Sequence, residues 1–253
     1  MKGQSLKISI VTAVYNRERT IGQAIDSVAR QTHPDLEHLI IDGASTDGTL
    51  AAVSRHGHAR MRVHSGPDNG IYDALNKGMA LAAGEVLGLV HSDDFLAHDR
   101  VLAQVARAFA DPAVDAVYGD LDYVAAHDPG RIVRHWKSGG YHRGKLSWGW
   151  MPPHPALFLR RRVIERHGVY DTSYRIAADY EAILRWFGHG AIRPCYIPEV
   201  LVKMRVGGES NRSLSRVLRK SREDYRALRA NGIGGAGALI AKNLTKLPQF
   251  LRR

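Results

Sequence analysis

Apolar, β-branched runs at residues 7–14 (KISIVTAV), 37–42 (EHLIID) and 85–91 (EVLGLVH) each stop at a polar turn, and each leads toward a stretch whose apolar residues recur at helical spacing. Continuous apolar runs of this length suit strands covered on both faces, and strands alternating with helices form a mostly parallel α/β sheet. No other feature of the chain narrows its fold as far.

The helices between these strands are legible from their periodicity and breakers. Residues 20–31 place Ile21, Ala24, Ile25 and Val28 on one face, with Thr20 expected as N-cap and His33-Pro34 as the stop. The turn Ser45-Thr46-Asp47-Gly48-Thr49 opens a helix running to about Arg55. A short strand near residues 62–65 precedes a helix over 71–83, with Gly84 expected as its C-cap glycine. A helix at 101–109 and a strand at 116–119 complete an alternating half. Beyond Asp120 the pattern loosens: a loop over 139–155 is rich in Gly, Trp, Pro and His, as binding loops are. A strand at 156–159, a helix near 161–167 and a helix at 178–187 follow.

Composition excludes several classes. Cys195 is the only cysteine of 253 residues, so neither an internal disulfide nor a thiolate zinc cluster can form within the chain, and a reducing compartment fits. No stretch reaches the roughly 18–20 continuous apolar residues of a spanning helix, so a cytoplasmic location is expected. The net charge is +11, but residues 205–253 hold twelve Lys/Arg against three Asp/Glu, which leaves +2 for everything before them. The basic excess is a property of the tail.

Chemistry-bearing residues collect where strands end. Ser92-Asp93-Asp94 follows the buried run at 85–91, and adjacent carboxylates there need a cation or hydrogen bonds to offset their desolvation. Mg²⁺ or Mn²⁺ would use one or two such carboxylates together with substrate phosphates; a helix cap explains the same residues equally well. Asp42 ends the second strand, where an acid can bond a ribose or base or simply close a turn. Asp73 and Lys77 stand four apart on one helix, a spacing that fits a surface ion pair and a phosphate contact alike. Asp179, in Ala177-Ala178-Asp179-Tyr180-Glu181, suits a general base or a first-turn acid favoured by the helix dipole. His154 lies in the loop Trp148–Pro155, beside prolines.

In order, Ile10-Val11-Thr12-Ala13-Val14-Tyr15-Asn16, Ile41-Asp42-Gly43-Ala44-Ser45-Thr46-Asp47-Gly48-Thr49, Asn69-Gly70-Ile71-Tyr72-Asp73-Ala74-Leu75-Asn76-Lys77-Gly78, Ser92-Asp93-Asp94 and Ala178-Asp179-Tyr180-Glu181 closely resemble the family 2 glycosyltransferases over about residues 6–205. The likeness is to non-processive members that build bacterial surface polysaccharides and glycolipids. It implies a GT-A fold, Rossmann-like with a mostly parallel central sheet flanked by helices, here with a C-terminal basic helical tail. It further implies an inverting, metal-dependent transfer of one sugar from a UDP- or GDP-linked donor to a glycan or lipid-linked acceptor. Carried over by position, Thr12, Val14, Tyr15, Asn16 and Asp42 would hold the base and ribose, and Asp73, Lys77, Ser92 and Asp93 the rest of the donor. Asp93 and Asp94 would hold Mn²⁺ or Mg²⁺, Asp179 would be the catalytic base, and His154 would lie near the acceptor or the leaving diphosphate. His91 stands where many members carry a further acid, Ala178 stands where an acid is common before the base, and the Gln-x-x-Arg-Trp motif of processive synthases is absent.

The expected organisation is a catalytic domain over 1–205, with a nucleotide-sugar-binding half over 1–120 and an acceptor half over 121–205, followed by a basic amphipathic tail over 206–253. The tail carries Arg212, Arg216, Arg219, Lys220, Arg222, Arg226 and Arg229 around an apolar stripe, and 236–251 repeats the pairing, a pattern suited to the inner face of the cytoplasmic membrane. Docking on the catalytic domain is the other reading. A dinucleotide oxidoreductase or a sugar nucleotidyltransferase would need glycines after the first strand, and Val14-Tyr15-Asn16-Arg17-Glu18 has none. A binding protein without transferase activity is the remaining alternative; with the charge confined to the tail, a nucleic-acid partner is not expected.

Overall fold

The chain is described by a computed structural model over residues 5–189, 192–206 and 214–244, with backbone alone at 214–217 and 243–244. Arg212 and residues 245–251 of the expected tail helices lie outside the described residues, as does the side chain of Arg216.

Its elements run β1 (Ile8–Val14), α1 (Ile21–Ala29), β2 (Leu36–Asp42), α2 (Thr49–Arg55), β3 (Met61–Ser65), α3 (Ile71–Leu81), β4 (Val86–Leu89), β5 (Phe95–Leu96), α4 (Val101–Ala108), β6 (Ala116–Val124) and β7 (Ile132–Trp136). They continue with β8 (Leu157–Arg160), α5 (Arg161–His167), α6 (Ala178–His189), β9 (Pro194–Arg205), α7 (Leu214–Ala230) and α8 (Ala236–Leu244). The strands form one sheet in the order β3-β2-β1-β4-β8-β6-β9-β5, with β7 added beside β6. The parallel sheet expected from the sequence is the β3-β2-β1-β4 half. From β4 to β8 the direction reverses, and only β6 with β9 is parallel beyond that point.

Alternation along β1 explains why its whole run is buried and mostly apolar. Ile8, Ile10 and Val14 pack on one side against α1 residues Ile21, Ile25 and Val28. Val11 and Ala13 pack on the other against Leu75 and Met79 of α3. Strand side chains point alternately to the two faces, so a strand between two helical layers must be apolar at every position. The polar exceptions are bonded: buried Glu37 accepts from Ser9 Oγ at 2.5 Å and from the Ala83 N–H at 2.8 Å, tying β1, β2 and the end of α3 together.

Local details differ from the sequence reading at two caps. Thr20 occupies the N-cap of α1 but makes no side-chain cap bond, and its Oγ1 is buried without a partner. Gly84 does not cap α3, which ends on extended Ala82. A side chain at Gly84 would meet the Ser9 backbone nitrogen at 2.7 Å, so close approach to β1 requires the glycine. Cys195 is half-buried on β9.

The described helices α7 and α8 pack against α6. Ala227, Leu228 and Ala238 join the same core as Ala182, Leu184 and Trp186 of α6. Between the two tail helices, Asp224 is shared by Lys220 and Lys242, each at 2.9 Å, and the Lys242 ammonium lies 3.1 Å from the centre of the Tyr180 ring. Gly149 lets the α8 backbone approach, since a Cβ there would meet Lys242 Cα at 2.5 Å. Among the described apolar side chains of α7, Ala227 and Leu228 are used for docking, whereas Leu218 and Tyr225 stay exposed. No described helix is long and apolar enough to cross a membrane.

Candidate active site

A cavity of about 760 Å³ opens over the carboxyl ends of β1 and β4, the edge at which loops of an α/β sheet converge on ligands. Ala13 to Arg17 form one wall, the first turn of α3 (Ile71, Tyr72, Ala74, Leu75) another, and His91 to Asp94 the floor. The segment before α6, the first turn of α6 and the end of β9 close the remaining side through Arg175, Asp179 and Arg205.

At its centre, His154 Nδ1 lies 3.0 Å from Asp179 Oδ2 and His154 Nε2 lies 3.0 Å from His91 Nε2. Tyr72 Oη donates to the Ile176 carbonyl at 2.7 Å and reaches Asp179 Oδ1 at 3.3 Å. Burial alone would raise the carboxyl of Asp179, but the adjacent His154 charge and hydrogen bond, with Lys220 and Lys242 behind, outweigh it and hold the group well below the usual carboxylate range. His91 goes the other way: burial, then the neighbouring His154, lowers it to about 4 against the pull of Asp93 and Asp179, so it is neutral. The direction of the bond between the two imidazoles follows their tautomers.

The carboxylates after β4 divide. Asp93 lines the cavity half-exposed, whereas Asp94 is 2% exposed and accepts the Arg205 backbone N–H at 3.1 Å. Burial, then the charge of Asp93, pushes the Asp94 carboxyl well above its ordinary value, and Arg205 only partly opposes this. The Arg205 guanidinium is anchored on the Asp93 carbonyl and on Gln23 Oε1, which fixes the end of β9 against this floor.

Of the residues singled out from sequence, Val14, Tyr15, Asn16, Ser92, Asp93, Asp94, His154 and Asp179 line the cavity. Tyr15 is 56% exposed at its mouth, a free aromatic face. Asn16, with φ of 50°, accepts from the Thr46 N–H at its Oδ1 at 2.9 Å and donates its own N–H to Ser45 Oγ at 2.9 Å, clipping β1 to the loop after β2. Thr12, Asp42, Asp73 and Lys77 do not line it. Thr12 Oγ1 bonds buried His38 Nε2 at 3.0 Å. Asp42 is fully buried and accepts from Ser65 Oγ at 2.6 Å and from the Ser45 N–H at 3.2 Å. Asp73 and Lys77 form the surface ion pair at 3.0 Å, with Asp73 also capping the Asn69 N–H at 2.9 Å.

Sequence reading passed over Asp68, Tyr72, Arg175, Arg205 and Arg219, all of which line the cavity. Asp68 carried no local signal; only the fold sets its Oδ2 beside Gly43, 2.4 Å from where a Cβ there would stand. The arginines have no local pattern and arrive only through the fold.

Residues 9–169 match the family model described as Glycosyl transferase family 2. A PGL/p-HBAD biosynthesis glycosyltransferase of Mycobacterium bovis (strain BCG / Pasteur 1173P2) is 32% identical over 208 residues, 80% of this chain and 78% of that protein. The mannosyltransferase PcManGT from Pyrobaculum calidifontis, solved in complex with GDP-Man and Mn2+, is similar with a TM-score of 0.68 at 21% identity, covering 96% of this chain and 70% of that one. S. aureus TarS 1-349 in complex with UDP-GlcNAc has a TM-score of 0.67 at 19% identity, covering 90% of this chain and 66% of that one. At such identities the two structures speak for the fold alone.

Proposed function

The chain belongs to glycosyl transferase family 2 and has its GT-A fold, and from that premise we propose that it transfers one sugar, with inversion, from a UDP- or GDP-linked donor to an acceptor hydroxyl on a glycan or lipid-linked molecule. The single observation that carries this reading is Asp179, held as a carboxylate and lining the same cavity as Asp93.

The donor's base and ribose are assigned to the wall at Ala13–Arg17, with Tyr15 offering its ring and Asp68 a carboxylate at that end. Thr12, Asp42, Asp73 and Lys77 act from behind, holding the strand ends and the α3 entrance. The acceptor oxygen attacks the anomeric carbon as the bond to the departing nucleoside diphosphate breaks, and its proton passes to Asp179. His154 keeps Asp179 ionised and turned toward the cavity, at the cost of making it a weaker base. Arg205 lends positive charge at the cavity wall as negative charge collects on the diphosphate.

Divalent metal dependence is part of the same proposal. No cluster of three or more His, Cys, Asp or Glu suited to a metal occurs among the described residues. A hard cation bound with the donor needs only one or two carboxylates from the protein, since phosphates and water supply the rest. The disfavoured ionisation of Asp94 beside Asp93 is the electrostatic condition a divalent cation relieves, so the residues fit. Asp93 would be the direct ligand, with Asp94 behind it on Arg205. When bound, Mn²⁺ or Mg²⁺ would neutralise charge on the leaving diphosphate.

The test is hydrolysis of a panel of UDP- and GDP-sugars with Mn²⁺ and with EDTA, for the wild type and Asp93→Ala. One donor is expected to be consumed with Mn²⁺ only, and not by the variant. No consumption of any donor, or full activity of Asp93→Ala in EDTA, would overturn the reading.

A further inference from the structure

Beside the catalytic cavity, a groove of about 590 Å³ runs along α7, lined by Arg175, Leu218, Arg219, Arg222, Glu223 and Arg226. Arg175 and Arg219 also line the cavity that holds Asp179, so the groove and the cavity share a wall. Glu223, the single acid among these residues, has its carboxylate occupied by the N–H groups of Arg175, Ile176 and Ala177 at 3.2, 2.8 and 2.9 Å. Arg226 is held on the Tyr174 ring at 4.3 Å and on Ser173 Oγ at 2.9 Å. Arg175, Arg219 and Arg222 make no side-chain hydrogen bond or ion pair with any described residue. Leu218, in the same groove, is 68% exposed.

Like charges three and four residues apart on a helix repel each other, so this face is stable only at a cost unless an anion meets it. Guanidinium groups are matched to phosphate by geometry as well as by charge. The exposed leucine between them adds a short apolar strip. With α7 docked by its other face, its arginines are presented toward the cavity entrance.

We propose that this groove is the acceptor subsite, and that the acceptor is an amphiphile carrying a phosphate group, held by Arg219 and Arg222 with its apolar chain along Leu218. The inference rests on the sugar-transfer reading above and names the acceptor class for it. Continuity with the cavity favours the acceptor's own phosphate over a membrane headgroup, since a headgroup patch would need no shared wall with the site of reaction.

The test is equilibrium binding of farnesyl monophosphate to the full chain, compared with farnesol and with UDP and GDP. Farnesyl monophosphate is expected to bind at least about tenfold more tightly than farnesol, and Arg222→Gln to weaken it about tenfold, the size of one charge-assisted hydrogen bond. Arg222 is exposed and lines only the groove, so nucleoside diphosphate affinity should not change. Equal binding of farnesyl monophosphate by wild type and Arg222→Gln would overturn the proposal. A parallel loss of UDP or GDP affinity would do the same, by giving the groove to the donor. So would Arg222-dependent binding to phosphatidylglycerol vesicles that farnesyl monophosphate fails to compete. Failure of the sugar-transfer reading shows separately, as absence of any UDP or GDP binding.

Discussion

His154 Nδ1 stands 3.0 Å from Asp179 Oδ2 at the centre of the cavity, joining a loop histidine to the first turn of α6. This contact decides the protonation of the acid proposed as base. Burial by itself would raise the Asp179 carboxyl, and the imidazole reverses the sign.

A pH profile tests that pairing. A carboxylate whose folded pKa is depressed is ionised above it, and both the base and the stability it contributes are lost only as pH falls through that value. Wild-type turnover should therefore show no acid limb from Asp179 near neutrality. In His154→Asn the opposing charge is gone while burial remains, so the limb should move to higher pH. An unchanged acid limb in His154→Asn would show that the imidazole does not govern Asp179.

Glu223 makes a second prediction, because it takes the backbone N–H groups leading into α6 and so holds Asp179 from the tail. Glu223→Gln keeps the shape but loses the charge on these bonds, which should cost about 1–3 kcal/mol of stability. Turnover should fall by more than donor affinity does. Denaturant titration and steady-state kinetics of the variant check both. Wild-type values for both would reduce Glu223 to a surface acid.

The shared carboxylate of Asp224 carries a third. Asp224→Ala removes a carboxylate that two ammonium groups share, one of them on Lys242, which is 1% exposed. Removing one side of a buried ion pair typically costs about 3–5 kcal/mol, while replacing both sides by apolar groups is often near neutral. The double variant Asp224→Leu with Lys242→Met should thus be more stable than Asp224→Ala alone, as read from the denaturant midpoint. The reverse order would mean that α8 is held by other contacts.

The strands and helices of the first half were legible because each is local: β1 is buried throughout and mostly apolar since helices cover both of its faces, and α1 shows its stripe within nine residues. The site was legible where a residue sits at the end of such an element, as Asp93 and Asp179 do. Asp42 and Thr12 do not line the cavity, since the sequence cannot say which face of a strand end a side chain takes, and here Ser65 and His38 claim them. Gly84 shows the same limit, since its reason is a neighbour 75 residues away in β1. Arg175, Arg219 and Arg222 were invisible as a group. They are brought together by the docking of α7, which depends on Glu223, Ala227 and Leu228 meeting α6 and the segment before it.

Asp179 is the proposed proton acceptor in sugar transfer, and the mechanism fails without it. The deciding measurement is the rate of nucleoside diphosphate release from the accepted donor with Mn²⁺, water serving as acceptor, in wild type and in Asp179→Asn, together with donor affinity by equilibrium binding. Asparagine keeps the size of the side chain but takes no proton, so the rate should fall about 10²–10⁴-fold with donor affinity nearly unchanged. A wild-type rate in Asp179→Asn would contradict the account and leave Asp179 as a residue that only positions His154.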